Sequence, residues 1–248
     1  MKKITVTFYL DSRLKPTTIE NNKKGKLELY PIYVKIIYDK NAIYIRSRTW
    51  IEATANSFEQ YLITNTFIED ETFGFIGYTL KMEYLDIYNS IKLIDEFKIK
   101  TNRKTLLVGI SKLTQSAYYS LLKTLQERYI IETAMLTGEE KKYFDFIFSF
   151  NIIKNLLEDI AKIEDFAKVD LLPLIKDNDV LKWETLKLVK DLYPIEMTFA
   201  NFYYSGFTAK INAANSKNTV ENFEKILEVL KDLINYFIES VQNDIKEY

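Results

Sequence analysis

The sequence predicts an α+β fold, with a small N-terminal three-stranded antiparallel β-sheet followed by a larger all-α helical bundle. Three observations carry this expectation. Apolar residues alternate at period two through the first fifty positions. From about residue 78 they recur at helical spacing instead. Only 6 Gly and 4 Pro interrupt the 248 residues, so long elements are expected. The domains that follow are a β domain over 1–60 and a helical domain over 76–248.

Residues 4–10 place Ile4, Val6, Phe8 and Leu10 on one face of a first strand. A polar stretch over 11–28, with Pro16, Asn21, Asn22 and Gly25, reads as a loop. A second strand over 29–38 puts Ile32, Val34, Ile36 and Tyr38 in phase. Asp39, Lys40, Asn41 and Ala42 read as a tight turn, and 43–48 as a third strand.

The helical part begins with residues 79–98, whose stripe is Leu80, Tyr84, Leu85, Tyr88, Ile91, Ile94 and Phe97. A second helix is expected over 105–132. Thr137 to Glu140 forms a capping box opening a third helix, to about 163. Shorter pieces follow around 166–175, 179–192 and 195–213, punctuated by Pro173 and Pro194. A last helix, capped near Asn218, carries Phe223, Leu227, Leu230, Ile234, Phe237, Val241 and Ile245 along one stripe. That stripe suits either core packing or the seam of a partner helix. Residues 105–150 also faintly echo a winged helix with Gly109 in its turn, but the capping box puts a helix where the wing would be.

The chain has no Cys and no His. That removes disulfides, thiolate nucleophiles, imidazole ligands and the usual neutral-pH acid–base group. No phosphate loop is present: Gly74 to Gly77 lacks the Lys and its strand–turn–helix context. The acidic residues Glu158, Asp159, Glu164, Asp165, Asp177 and Asp179 read as solvated surface rather than converging metal ligands. No catalytic residue, metal or cofactor is therefore expected. The opening residues lack the apolar block of a signal peptide and no stretch has membrane-span length, so a soluble intracellular chain is expected.

Charge is unevenly distributed. Residues 1–60 carry 11 Lys/Arg against 6 Asp/Glu, a net of +5; residues 61–248 carry the remaining 23 against 29, a net of −6. The second face of the three strands would present Thr5, Thr7 and Tyr9, then Tyr33, Lys35 and Ile37, then Tyr44, Arg46 and Arg48. Aromatic and basic residues interleaved on a sheet suit nucleic-acid contact. The same pattern also suits packing of Tyr33, Ile37 and Tyr44 against the helices, with the charges at the rim.

Residues 6–13 (Val-Thr-Phe-Tyr-Leu-Asp-Ser-Arg), the triplet Lys24-Gly25-Lys26, the run from Tyr30 to Ile36, then Tyr44, Ile45, Arg46 and Trp50 carry a resemblance. Together they resemble the N-terminal arm-type DNA-binding domain of tyrosine recombinases (integrases) from Bacteroidetes, their phages and mobile elements, over about 1–52. The resemblance implies a three-stranded sheet that enters the major groove of double-stranded DNA, with Tyr9, Arg13, Tyr33, Lys35, Tyr44, Arg46 and Arg48 as contacts. It does not extend to recombination, because the catalytic Arg, Lys, His and Tyr set cannot be assembled without His. The expected function is a non-catalytic phage or mobile-element protein with a DNA-binding head and a helical assembly body, which binds other protein subunits or self-associates through its last helix. The alternative is a virion structural protein, such as a ring, connector or tail component, whose sheet binds protein. The expected location is the bacterial cytoplasm, or the virion under that alternative.

Strand chemistry would need an arginine cluster around the phosphate, and the whole chain holds only Arg13, Arg46, Arg48, Arg103 and Arg128. We expect no nicking or joining of supercoiled plasmid with magnesium or manganese supplied. Nicking that disappears on changing one Tyr or one carboxylate would overturn the expectation.

Overall fold

The computed structural model describes residues 2–21, 24–74, 79–98, 100–132, 177–215 and 223–247. Among them are six strands, β1 (Thr5–Leu10), β2 (Thr17–Asn21), β3 (Gly25–Tyr38), β4 (Asn41–Arg46), β5 (Glu52–Ala53) and β6 (Thr72–Phe73). Eight helices are described: α1 (Ala55–Thr64), α2 (Leu80–Glu96), α3 (Arg103–Leu113), α4 (Ala117–Glu132), α5 (Asp177–Leu192), α6 (Phe199–Tyr204), α7 (Phe207–Asn215) and α8 (Phe223–Lys246). The chain forms two compact units, Met1–Thr114 with Asp244–Tyr248, and Gln115–Asn243. Composition drew a boundary between residues 60 and 76, whereas packing groups α1, α2 and α3 with the sheet.

All strand pairs in the first unit are antiparallel, and β3 pairs with four of the other five strands. Its first residues pair with β2 (Thr17↔Leu29), its later ones with β1 (Phe8↔Val34) and with β4 (Val34↔Ile45). Tyr30 and Pro31 pair with β5, which in turn carries β6. The sheet therefore has six strands rather than three. The stretch read as a loop over 11–28 contains a hairpin, because β2 pairs through its backbone while its side chains give almost no apolar alternation. The third strand ends at Arg46, two residues early, where Ser47 N–H bonds Ile32 O at 2.9 Å.

Alternation along β3 buries Ile32, Val34 and Ile36 completely. Ile32 joins Ile51, Ala53, Phe58 and Leu80 in a core cluster, with Phe8, Leu10, Tyr61 and Phe67 against it. Helix α2 packs against β1 and α3 against β4, covering this inner face. The α2 stripe differs from the expected one. Glu83, Ile87, Ser90 and Leu93 are buried, while Tyr84 and Leu85 are exposed. The buried acid is what displaced the pattern, since Glu83 has partners on the turn after β4 (below). Gly109 lies inside α3, not in a turn; a Cβ there would stand 2.6 Å from Ile94 Cδ1 and 3.0 Å from Ile245 Cδ1. Gly109 thus lets α2, α3 and the end of α8 approach closely.

The helix expected over 105–132 is two helices. Thr114 caps α3, and the break at 115–117 is tied to 197–199: Ala117 N–H bonds Met197 O, and Phe199 N–H bonds Gln115 O, both at 2.8 Å. Backbone pairing with a distant segment satisfies the donors that a continuous helix would have used. In the second unit Phe199 and Phe202 are fully buried, and the Phe199 ring packs tilted against Phe237 with centroids 4.2 Å apart. The α8 stripe is core: Leu230, Ile234, Phe237, Val241 and Ile245 are buried. The winged-helix hairpin, the helix from Thr137, the piece around 166–175, the cap near Asn218 and the acids from Glu158 to Asp165 lie outside the described residues. No described helix is long and apolar enough to cross a membrane.

Between β3 and β4 the register Tyr38↔Asn41 leaves a two-residue loop, Asp39 and Lys40, with φ of 47° and 66°. Both are left-handed, as a type I′ hairpin demands. For a residue with a Cβ that conformation costs about 1–2 kcal/mol. Lys40→Gly should therefore stabilise the first unit by up to about 1 kcal/mol. A denaturant midpoint that falls instead would show that the Lys40 side chain contributes more than its backbone costs.

Candidate functional site

Parity along β1, β3 and β4 aligns three rows on the outer face: Thr5, Ile37 and Ala42; Thr7, Lys35 and Tyr44; Tyr9, Tyr33 and Arg46. This is the face opposite Val34 and Ile36, and it leaves Thr7, Tyr44 and Arg46 exposed. Tyr9 stands 6.1 Å from Tyr33 and edge-on to Tyr44 at 6.4 Å, centroid to centroid. Lys35 Nζ lies 5.8 Å from the Tyr44 ring, which is 50% exposed. Burial, with the Asp11 carboxylate adding to it, pushes the Tyr9 phenol up, so Tyr9 is a neutral hydrogen-bonding group at physiological pH.

Five of the seven residues expected at the site, Tyr9, Tyr33, Lys35, Tyr44 and Arg46, therefore share one patch. Arg13 follows β1 in a turn. Its Nε and Nη2 each donate to Asp11 at 2.8 Å, a bidentate pair that holds the Asp11 carboxyl below its ordinary range. Arg46 Nη2 donates to Glu52 Oε1 at 2.9 Å. Arg48 is off the strand, in the turn 47–50, with its backbone N–H donating to Glu83 Oε1 at 2.7 Å.

Two features of the patch were not among the contacts expected from the sequence. The first is Trp50, 62% exposed, with the Arg46 guanidinium 4.6 Å from its ring centroid. The second is the buried anchor beneath it. Glu83, with 0% exposure, accepts from Ser47 Oγ and from the Arg48 N–H. Ser47 Oγ and Thr49 Oγ1 are 2.7 Å apart, and Thr49 Oγ1 accepts from Ile51 N–H at 3.3 Å. The only signal for Glu83 is an acid at helical spacing with Leu80 and Ile87, which could equally mark a helix edge. A comparable anchor sits at Glu71, buried and accepting from Lys24, Thr54 and Asn56. Lys24 and these donors hold its carboxyl down at about 2.

An apolar cavity of about 350 Å³ lies between α1 and the start of α2, lined by Ile51, Tyr61, Phe67, Thr72, Gly74 and Leu80 among others. The patch combines rings (Tyr9, Tyr33, Tyr44), cations (Lys35, Arg46) and exposed sheet. The chain matches no family model, no curated protein and no solved structure.

The two buried carboxylates respond to pH in opposite senses. Glu71, whose value is lowered, stabilises the fold above the ordinary carboxylate range and loses that contribution as pH falls toward 2. Burial raises Glu83 above its ordinary 4.5, so its contribution is present below 4.5 and is lost as pH rises through the raised value. Glu83→Gln keeps an acceptor for Arg48 N–H and removes the buried charge. We expect its melting temperature relative to the parent to increase as pH rises from 4.5 through the raised value and then to level off. A difference that does not change with pH would mean that Glu83 carries no titration-linked cost.

Proposed function

We propose that the chain is a non-catalytic phage or mobile-element protein whose sheet binds double-stranded DNA. The observation that carries this reading is the outer face of β1, β3 and β4, where Tyr9, Tyr33 and Tyr44 stand among Lys35 and Arg46. A β-sheet face of this width can enter the major groove, with cations meeting phosphates and phenols meeting base edges. The net +5 of residues 1–60 supplies the long-range attraction. The resemblance of residues 1–52 to the arm-type domain of tyrosine recombinases points to the same use. The helical part is the assembly body. Because the α8 stripe is buried, association between copies would use the polar side of α8, which exposes Lys231, Asp232 and Asn235, or another helix. The reading places the protein in the bacterial cytoplasm.

A second reading, a virion component whose sheet binds protein, is favoured by one observation. Arg13 and Arg46 already hold Asp11 and Glu52, which lowers their value to phosphate. Tyr, Trp and Arg are also the residues that dominate protein–protein hot spots.

A titration of the full chain against duplex DNA at two salt concentrations separates the readings. We expect weak binding that weakens further with salt. Changing Lys35, Arg46 and Arg48 together to Ala should flatten the log–log slope by roughly 0.9 for each phosphate that is no longer neutralised. Absence of binding at low salt removes the DNA reading and leaves the protein-binding one.

A further inference from the structure

Trp50 is held in a way that its own packing does not explain. Its φ is 55°, a left-handed conformation that a large side chain disfavours, and its ring is mostly exposed. The surrounding structure imposes both conditions. Trp50 N–H bonds Ser47 O at 3.3 Å, and Ile51 O accepts from Ile32 N–H at 3.2 Å, tying the turn back to β3. Glu83 grips the start of the turn from inside. On the other side Gly74 abuts it so closely that a Cβ would stand 2.9 Å from Trp50 O. The ring is therefore presented by a backbone fixed on three sides, and Arg46, itself steadied by Glu52, lies over it.

A rigid, exposed indole stacked with a guanidinium is a platform for one further flat group. The electropositive head and the neighbouring Lys35 favour a flat group attached to phosphate, which is a nucleobase. We infer that Trp50, paired with Arg46, stacks on an unstacked base, so that the head prefers DNA in which one base has left the helix over an intact duplex. The inference rests on the DNA reading above and adds its substrate class. Intact B-form DNA hides base faces, and an indole can reach one only where a base is unpaired or a step is opened.

The test uses the full chain and three probes: a short duplex, the same duplex with one unpaired 2-aminopurine at its centre, and the single strand. We expect roughly tenfold tighter binding to the bulged duplex than to the intact one, within the range of single-base stacking. Fluorescence of the 2-aminopurine should be quenched on binding. Trp50→Leu should abolish the quenching and bring the affinity for the bulged duplex down to that for the intact one, and Trp50→Phe should restore part of both. Because Trp50 is exposed, a matching thermal unfolding curve confirms that the variants fold. Equal binding to bulged and intact duplexes, or a preference that survives Trp50→Leu, overturns the inference and leaves the DNA reading standing. No binding to any probe overturns both.

Discussion

The constraint on which the first unit depends is the hydrogen-bonding demand of β3. Fourteen residues long, it offers donors and acceptors on both sides, and four other strands meet that demand over different stretches of its length. Each pairing fixes a feature of the outer face. The β1 and β4 registers decide that Tyr9, Tyr33 and Tyr44 face the same way. A shift of one residue would send them inward and turn Val34 and Ile36 out to water. The β5 pairing brings Glu52 to Arg46 and closes the turn that carries Trp50. The aromatic–basic patch is thus a consequence of register, and register is enforced by burial of the opposite face.

Electrostatics modifies the value of that patch. Counting charges from sequence gives a strongly basic head, yet Arg13 and Arg46 each sit within hydrogen-bonding distance of a carboxylate. Such pairs position the guanidinium and lower its net field at the same time. Binding by such a patch, as proposed above, would depend on geometry more than on raw charge. It is also consistent with rings contributing as much contact surface as cations do.

The parts of this architecture that were legible in the sequence are those in which side chains report their own environment. Ile32, Val34 and Ile36 alternate because one face is dry, and a turn was legible over 39–42, although pairing of Asn41 and Ala42 with β3 narrows it to Asp39 and Lys40. What was not legible is satisfied by partners remote in sequence. Strand β2 carries mostly Thr, Glu and Asn side chains and is held by the backbone of β3. Helix α1 buries Ser57 and Phe58 but leaves Leu62 and Ile63 in water, so it has no stripe to read. The interruption between α3 and α4 is made by residues 197–199. For the site, strand parity was enough to group five side chains. The grip of Glu83 on the turn was not, because a buried acid is tolerated only when another element supplies its donors.

The fit of Ile245 against Gly109 has a consequence for how the protein comes into being. The slot between α2 and α3 belongs to the first unit, and Lys112 also meets Asp244 there at 3.0 Å. On the ribosome the sheet and both helices emerge well before Asp244 and Ile245, because the whole second unit is made in between. Until then Ile94 has an unfilled neighbour and the unit exposes an apolar notch. Its final stability arrives late, through pairings of very high sequence separation, which form slowly and leave nascent chains open to misassembly.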